Sequence, residues 1–244
     1  MKRSRSFIVL LFGFLFISST SVWAQSTDRD TLLREIESLR SQLKTHEDTL
    51  LAPSPEDYTA FADFLRQSNT GLIRLLPREE YDTKNKLTIR GGGAYYSFTR
   101  LTHEYGYGSD ISLEMGNLSV GFAGTDYGLL ANLGDISIDS LTLDTPSVQV
   151  LVSYTPPTSE PQARIEKQRS HEGLQVEKIS YKKRLPVVVN STYLLRSISY
   201  GDSDVLVVFR VVRKDADGSL VLAWKLLKQY EIPKLEREKT EGSQ

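Results

Sequence analysis

A cluster of aromatic residues among glycines is the part of this sequence best suited to bind a ligand. Residues 91–134 hold 10 of the chain's 16 glycines, and five aromatic residues fall within 13 positions of this segment. Tyrosine offers a rigid, amphipathic contact surface with little loss of side-chain entropy, as at sugar-binding and protein-binding sites. The residues that we predict to contact a glycan or protein partner are Tyr95, His103, Tyr105 and Tyr107.

The same segment also has a purely structural interpretation. Tyr95, Tyr96 and Phe98 fit a strand, and the glycines around them fit bends and β-bulges. Residues 103–108, His-Glu-Tyr-Gly-Tyr-Gly, are too polar for a core strand and favour a surface loop. A site, if present, is therefore expected first in this loop.

A basic run, Lys182-Lys183-Arg184, interrupts an otherwise acidic chain, and three more basic residues precede it at positions 164, 167 and 169. Such a run is typical of a solvated sheet edge, where charge discourages strand-to-strand aggregation. The alternative interpretation is a weak affinity for an anionic lipid or polysaccharide.

Other motifs that resemble chemical sites lack the residues that would complete them. The three glycines at 91–93 precede a strand-like run and no Gly-Lys-Ser/Thr follows, which argues against a phosphate-binding loop. Asp215 and Asp217 begin like a calcium loop, but the later acidic ligand is missing. The three histidines are far apart and the chain has no cysteine, so we expect no metal site and no cofactor.

Catalysis has weaker support than binding in this sequence. There is no Gly-x-Ser-x-Gly motif, and only three histidines are available to a serine hydrolase triad. A glycosidase-type pair stays open because the chain has 31 Asp and Glu residues. The alternative function is accordingly a secreted enzyme that acts on glycans or another extracellular polymer through two carboxylates.

The N-terminus has the pattern of a secretory signal peptide. Lys2, Arg3 and Arg5 precede an apolar run at 7–17, and Val-Trp-Ala at 22–24 fits a cleavage site after Ala24. The apolar run is too short to span a bilayer, so no transmembrane segment is expected after cleavage of residues 1–24. We predict a secreted or periplasmic protein of bacterial type, and the absence of cysteine excludes disulfides and a lipidated cysteine anchor.

Charge argues against a nucleic-acid partner. The whole chain has 30 Lys and Arg against 31 Asp and Glu, and loss of the three basic residues of the signal leaves 27 against 31. A mildly acidic protein is a poor match for a phosphate backbone.

Helical periodicity follows the predicted signal, in a segment assigned to residues 25–52. Within 27–51, Leu32, Ile36, Leu39 and Leu43 repeat at spacings of 4, 3 and 4, with charged residues on the other faces. This heptad stripe fits a short coiled coil that makes a homo-oligomer, or equally a helix that packs on its own domain. Residues 53–86 are predicted as a short helix and connector, with Ser54 as its N-cap and Pro55 at its first position.

From residue 87 to 235 the period changes to that of β-strands. Alternating runs predict strands at 87–89, 94–98, 111–115, 118–122, 136–143 and 148–154, then a long loop at 156–172. Turn residues at 201–204 and 214–218 separate the last three strands, which should form an antiparallel meander. Residues 236–244 are predicted to be a disordered tail.

These patterns predict a mainly β fold, an antiparallel sandwich-like domain with an N-terminal helical or coiled-coil segment. The functional expectation is an exported, non-catalytic envelope or extracellular binding protein. Its helix would provide self-association and its β domain would provide the contact surface.

Overall fold

The computed structural model describes residues 21–106 and 108–236. Positions 1–20 of the predicted signal peptide, the predicted site residue Tyr107 and positions 237–244 of the predicted tail lie outside the described residues. The chain divides into two compact units between His46 and Glu47. Within the described ranges, no helix combines the length and apolar character needed to cross a bilayer.

A single long helix, α1 (Ser21–Leu51), occupies the segment where the heptad stripe predicts one. Its apolar stripe is exposed: Leu32, Ile36, Leu39 and Leu43 retain between 42% and 57% of their accessible surface. Exposed leucines at coiled-coil spacing leave the helix with an unpartnered apolar seam.

Two short helices follow, α2 (Pro55–Ala60) and α3 (Ala62–Leu65). Ser54 caps α2 as predicted, since its side chain accepts from the Asp57 backbone and Asp57 accepts from the Ser54 backbone at 2.9 Å. This reciprocal pair satisfies two backbone donors that a helix start leaves free. The Asp57 carboxylate also pairs with Arg213, which anchors α2 to the β region.

The protein is mostly β, with two antiparallel sheets and additional helices. One sheet has seven strands, in the spatial order β1 (Thr70–Leu75), β11 (Leu220–Gln229), β10 (Ser203–Lys214), β9 (Thr192–Ser199), β5 (Tyr127–Gly134), β7 (Ile179–Lys182) and β6 (Leu174–Val176). The other has four, in the order β2 (Tyr95–Tyr96), β3 (Ile111–Glu114), β4 (Asn117–Ser119) and β8 (Arg184–Pro186).

The predicted meander of the last three strands is confirmed. β9 pairs with β10, and β10 pairs with β11, both antiparallel. Along β10, Val205, Val207 and Phe209 join one core cluster, whereas Leu206 and Val208 join another. A strand that is apolar on both faces is thereby covered on both, as its sequence indicates.

The larger core cluster contains side chains from both sheets. Tyr96, Ile111 and Leu118 come from the four-stranded sheet, and Phe209 and Leu222 come from the seven-stranded sheet. The second cluster includes Val148 and Leu151, which belong to a helix. The four-stranded sheet therefore packs one of its faces into this shared cluster.

Two strand or loop predictions in the middle of the chain are wrong. Residues 148–154 fall largely in helix α4 (Pro146–Val152), and the predicted loop at 156–172 contains helix α5 (Glu160–Glu172). Proline at the start of each helix sets a helical φ, and Gly173 ends α5 at φ 84°, a conformation that glycine adopts without strain. Helix α5 escapes a periodicity search because only Ala163 and Ser170 are buried.

Other boundaries also differ from the prediction. β1 lies before residue 87, within the segment 53–86 that is predicted as a short helix and connector. Residues 87–89 form no strand, and within 136–143 there is a 3₁₀ turn, Ile138–Ser140. A π-helical turn, Glu79–Lys84, occupies the predicted connector. Within the two segments predicted as strands, Ile89, Ile138 and Leu141 are buried by tertiary packing, which strand propensity alone does not specify.

Candidate functional site

A cleft of about 420 Å³ lies on the outer face of the four-stranded sheet. We call it the aromatic-basic cleft, because aromatic and basic residues dominate its lining. Tyr95, Tyr105 and Phe122 form its aromatic end, where Arg78 lies 5.9 Å from the centre of the Tyr95 ring, and Lys182, Lys183 and Arg184 form its basic end. The aromatic segment and the basic run, which are far apart in sequence, thus meet in one concavity.

Sheet register explains how the floor of the cleft forms. Tyr95 of β2 lies opposite Ser112 of β3, Ser112 lies opposite Ser119 of β4, and Ser119 lies opposite Arg184 of β8. Directly opposed residues share a face of an antiparallel sheet, so these four form one row across four strands. All four line the cleft, and the alternate residue Tyr96 points into the core.

Aromatic packing holds one end of the cleft. The ring centroids of Tyr95 and Tyr105 are 4.5 Å apart, and Phe122 meets Tyr95 edge-on at 5.1 Å. Tyr95 is buried and Tyr105 is half-buried. Gly91, at φ 85°, allows this packing, since a Cβ there would lie 2.6 Å from the Tyr95 ring. Burial raises the pKa of Tyr95, which keeps its hydroxyl protonated at neutral pH.

The basic end has its backbone fixed on both sides of Lys183. The Lys183 N–H donates to the Ser170 carbonyl at 2.8 Å, and its own carbonyl accepts from Val120 at 3.1 Å. The Lys183 ammonium lies 3.3 Å from Nε2 of His171, at the end of α5. Partial burial lowers the pKa of Lys183, and desolvation with the nearby charge of Lys183 and Lys167 lowers that of His171. His171 is therefore neutral near pH 7 and can accept from Lys183.

Charge in the cleft is unbalanced. Arg78 forms ion pairs with Asp82 and Glu114, each at 3.2 Å. Among the described residues, Glu114 is the one carboxylate that lines the cleft. No ion pair between described residues involves Lys182, Lys183 or Arg184. The guanidinium of Arg184 donates to the backbone carbonyl of Glu114 at 3.2 Å, and this carbonyl carries no net charge. The basic end thus has the electrostatic character of an anion-binding site.

The structure brings together some predicted site residues and separates others. Tyr95 and Tyr105 line the cleft, whereas His103 does not. Nε2 of His103 lies 2.9 Å from the Arg74 carbonyl, and its ring packs 4.9 Å from Tyr96. Burial lowers the pKa of His103 to about 4, so its ring is neutral and donates to that carbonyl. This arrangement is structural, and Tyr107 lies outside the described residues.

Sequence patterns do not single out several further residues of the cleft, among them Phe122 and His171. Phe122 is the last residue of a predicted strand, with nothing to mark it as exposed to a ligand, and His171 falls in the predicted loop that is in fact α5. Basic residues in a last turn followed by glycine indicate the end of a helix. Arg169, His171 and Gly173 form this pattern, which would have located His171 at the end of a helix.

A second cavity, of about 240 Å³, lies beside α5 and is mostly apolar. At its wall the Tyr127 and Tyr154 hydroxyls are 2.6 Å apart, and Tyr154 donates to Glu166 at 3.1 Å. Burial raises the pKa of both tyrosines, so they act as protonated hydrogen-bonding groups rather than as bases. Glu166 is also paired with Arg169 at 2.6 Å. Across the described residues, no group of three or more His, Asp or Glu side chains is arranged to hold a metal ion.

Comparison of the chain with protein-family models, with curated proteins and with solved structures finds no match.

Proposed function

We propose that this is an exported, non-catalytic binding protein that contacts its ligand through the aromatic-basic cleft. The observation that carries the proposal is the meeting of Tyr95 and Tyr105 with Lys183 and Arg184 in one concavity. Aromatic rings supply contact area and the cations supply orientation, the combination that binding clefts commonly use.

The proposed location is the periplasm or the cell exterior. The signal pattern of residues 1–24 supports export, and a chain without cysteine needs no oxidative folding there. The proposed architecture is a β-sandwich, which the core cluster shared by the two sheets supports. Self-association through residues 27–51 completes the proposal, supported by the exposed heptad stripe of α1.

An enzyme that cleaves glycans is the alternative. That chemistry requires two carboxylates that face each other across the substrate. Of the described residues that line the aromatic-basic cleft, Glu114 is the single carboxylate, and its Oε1 accepts from Arg78 at 3.2 Å. The cleft therefore lacks a second carboxylate to complete such a pair. We therefore favour binding over hydrolysis.

The test compares Tyr105→Ala with Tyr58→Ala on an array of immobilised bacterial polysaccharides. Tyr58 is a matched control because it is an exposed tyrosine, at 45% of its accessible surface, on helix α2. We expect Tyr105→Ala to weaken binding roughly tenfold while Tyr58→Ala leaves it unchanged. Circular dichroism melts establish that both variants fold. Equal binding by the two variants, or release of shortened glycan products, would overturn the proposal.

A further inference from the structure

We infer that the ligand of the aromatic-basic cleft is an acidic glycan, which lies along the cross-strand row with its carboxylate or phosphate group at Lys183 and Arg184. This inference rests on the proposed function, since it names the ligand class for the same cleft.

The first step concerns the cations of the basic end, which have no anionic partner among the described residues. Lys183 is half-buried, and its ammonium lies 3.3 Å from the neutral ring of His171. A cation that is partly removed from water without an anionic partner is less stable than one that has it. Lys167 adds a further positive charge nearby. An anionic group placed between Lys183 and Arg184 would supply the charge-assisted hydrogen bonds that the protein leaves unmade.

The second step is the row itself. Tyr95, Ser112, Ser119 and Arg184 cross four neighbouring strands in register. Three strand spacings give this row a length of about 14 Å, which suits an extended oligosaccharide better than a single small anion. Half-buried Ser119 carries a hydroxyl that can bond to a sugar hydroxyl, whereas Ser112 is buried and forms the floor beneath the ligand.

The third step separates a glycan from a lipid surface. A membrane presents anionic groups on a broad, nearly flat plane, whereas these cations lie in a cleft of about 420 Å³ with aromatic rings at its far end. Half-buried Tyr105, whose ring lies 4.5 Å from that of Tyr95, adds an amphipathic surface suited to a sugar ring. Shape and composition therefore favour the glycan.

The experiment measures binding of the purified protein to octagalacturonate by isothermal titration calorimetry. The methyl-esterified octamer is the matched neutral probe, and a phosphorylated oligomannose tests phosphate as the source of charge. We expect at least one of the two acidic probes to bind about tenfold more tightly than the neutral probe, with affinity that falls as salt rises. Vesicles of phosphatidylglycerol in phosphatidylcholine test the membrane alternative.

Two variants and one control locate the anion. Lys183→Gln and Arg184→Gln should each weaken binding of the acidic probe roughly fivefold or more. Lys178→Gln, which removes an exposed lysine outside the cleft, should leave it unchanged. Thermal melts confirm folding, and Arg184, being exposed, provides the variant less prone to disturb the core.

The outcomes separate this inference from the proposed function. Equal affinity for the neutral octamer and for both acidic probes, with binding lost in Tyr105→Ala, overturns the acidic ligand and leaves the binding function in place. Vesicle binding without glycan binding overturns the glycan. Binding of no probe, together with no dependence on Tyr105 across the polysaccharide array, overturns both.

Discussion

Arg196 and Asp204 form a bidentate ion pair inside the protein, near the turn that joins β9 to β10. The Arg196 Nε and Nη2 groups donate to the two carboxylate oxygens at 3.0 and 2.9 Å, and both side chains are at most 3% exposed. The remaining Nη1 donates to two carbonyl oxygens, that of Leu151 in the last turn of α4 and that of Tyr154 just after the helix. The Tyr230 ring centroid lies 3.8 Å from the guanidinium carbon. One buried cation thus joins α4 to the sheet.

Removing the carboxylate should therefore be strongly destabilising. Asp204→Ala leaves the guanidinium buried without its counter-ion, and we expect a loss of about 3–5 kcal/mol in the free energy of unfolding. The control is Asp202→Ala, which removes the partner of Arg100 in an exposed pair at 3.1 Å and should cost less than about 1 kcal/mol. Urea titrations measure both, and similar losses would contradict the special role of the buried pair.

Asp110 should make stability depend on pH. Its carboxylate is buried, accepts from the Phe98 N–H at 2.8 Å and from Ser203 Oγ at 3.3 Å, and burial raises its pKa to about 7. An unfolded aspartate has a pKa near about 3.9, so the folded state holds the proton more tightly between these two values. Stability is then fully present below about pH 4 and falls as pH rises to about 7.

The substitution Asp110→Asn tests this dependence. Asparagine can still accept from Phe98 and can donate to Ser203, but it cannot ionise. We expect the variant to become more stable relative to the native protein as pH rises from about 4 to about 7, seen as a smaller fall in its urea midpoint. An unchanged pH slope would assign the dependence to other carboxyls, such as half-buried Asp126, whose pKa is also raised by burial.

Glu47 should stabilise the segment before β2. Its Oε1 accepts from the Thr88 N–H at 3.0 Å and from the Thr88 hydroxyl at 2.7 Å, and the side chain is buried. Glu47→Ala leaves two donors without an acceptor, for an expected loss of about 1–3 kcal/mol. Glu47→Gln keeps a carbonyl oxygen and should lose less. Thermal melts that rank the two variants in the opposite order would contradict this assignment.

The exposed stripe of α1 should mediate self-association. Leu39→Asp combined with Leu43→Asp places two charges in the predicted seam, which should lower the mass measured by light scattering to that of one chain. Arg40→Asp is the control, since it alters an exposed position beside the stripe. The prediction is wrong if the native chain is already a monomer, or if the double variant keeps its oligomeric mass.

The part of the fold that local sequence patterns predict best is the β9–β10–β11 meander. Its strands are long, alternate clearly and are separated by Gly and Asp turns, so local signals and final pairing agree. Helices α4 and α5 escape prediction for opposite reasons. Valines at 148, 150 and 152 imitate a strand, whereas α5 has too few buried residues to show a period.

The site is predictable in its parts and not in its assembly. Composition alone points to Tyr105 and to the basic run, but their proximity requires β8 to pair with β4 across a long stretch of chain. Local patterns do not specify such a distant register. The same limit explains His103, whose partner is a backbone carbonyl on β1 that no side-chain motif reveals.

The cross-strand row also makes the cleft a property of the completed fold. Arg184 stands beside Ser119 only when β8 has joined the sheet, so an unfolded chain has the same residues and no cleft. A ligand that binds only the folded state adds RT ln(1 + [L]/Kd) to stability, about 2.7 kcal/mol at a hundredfold excess over Kd. Chemically diverse ligand candidates can therefore be ranked, without labelling, by the rise that each causes in the melting temperature.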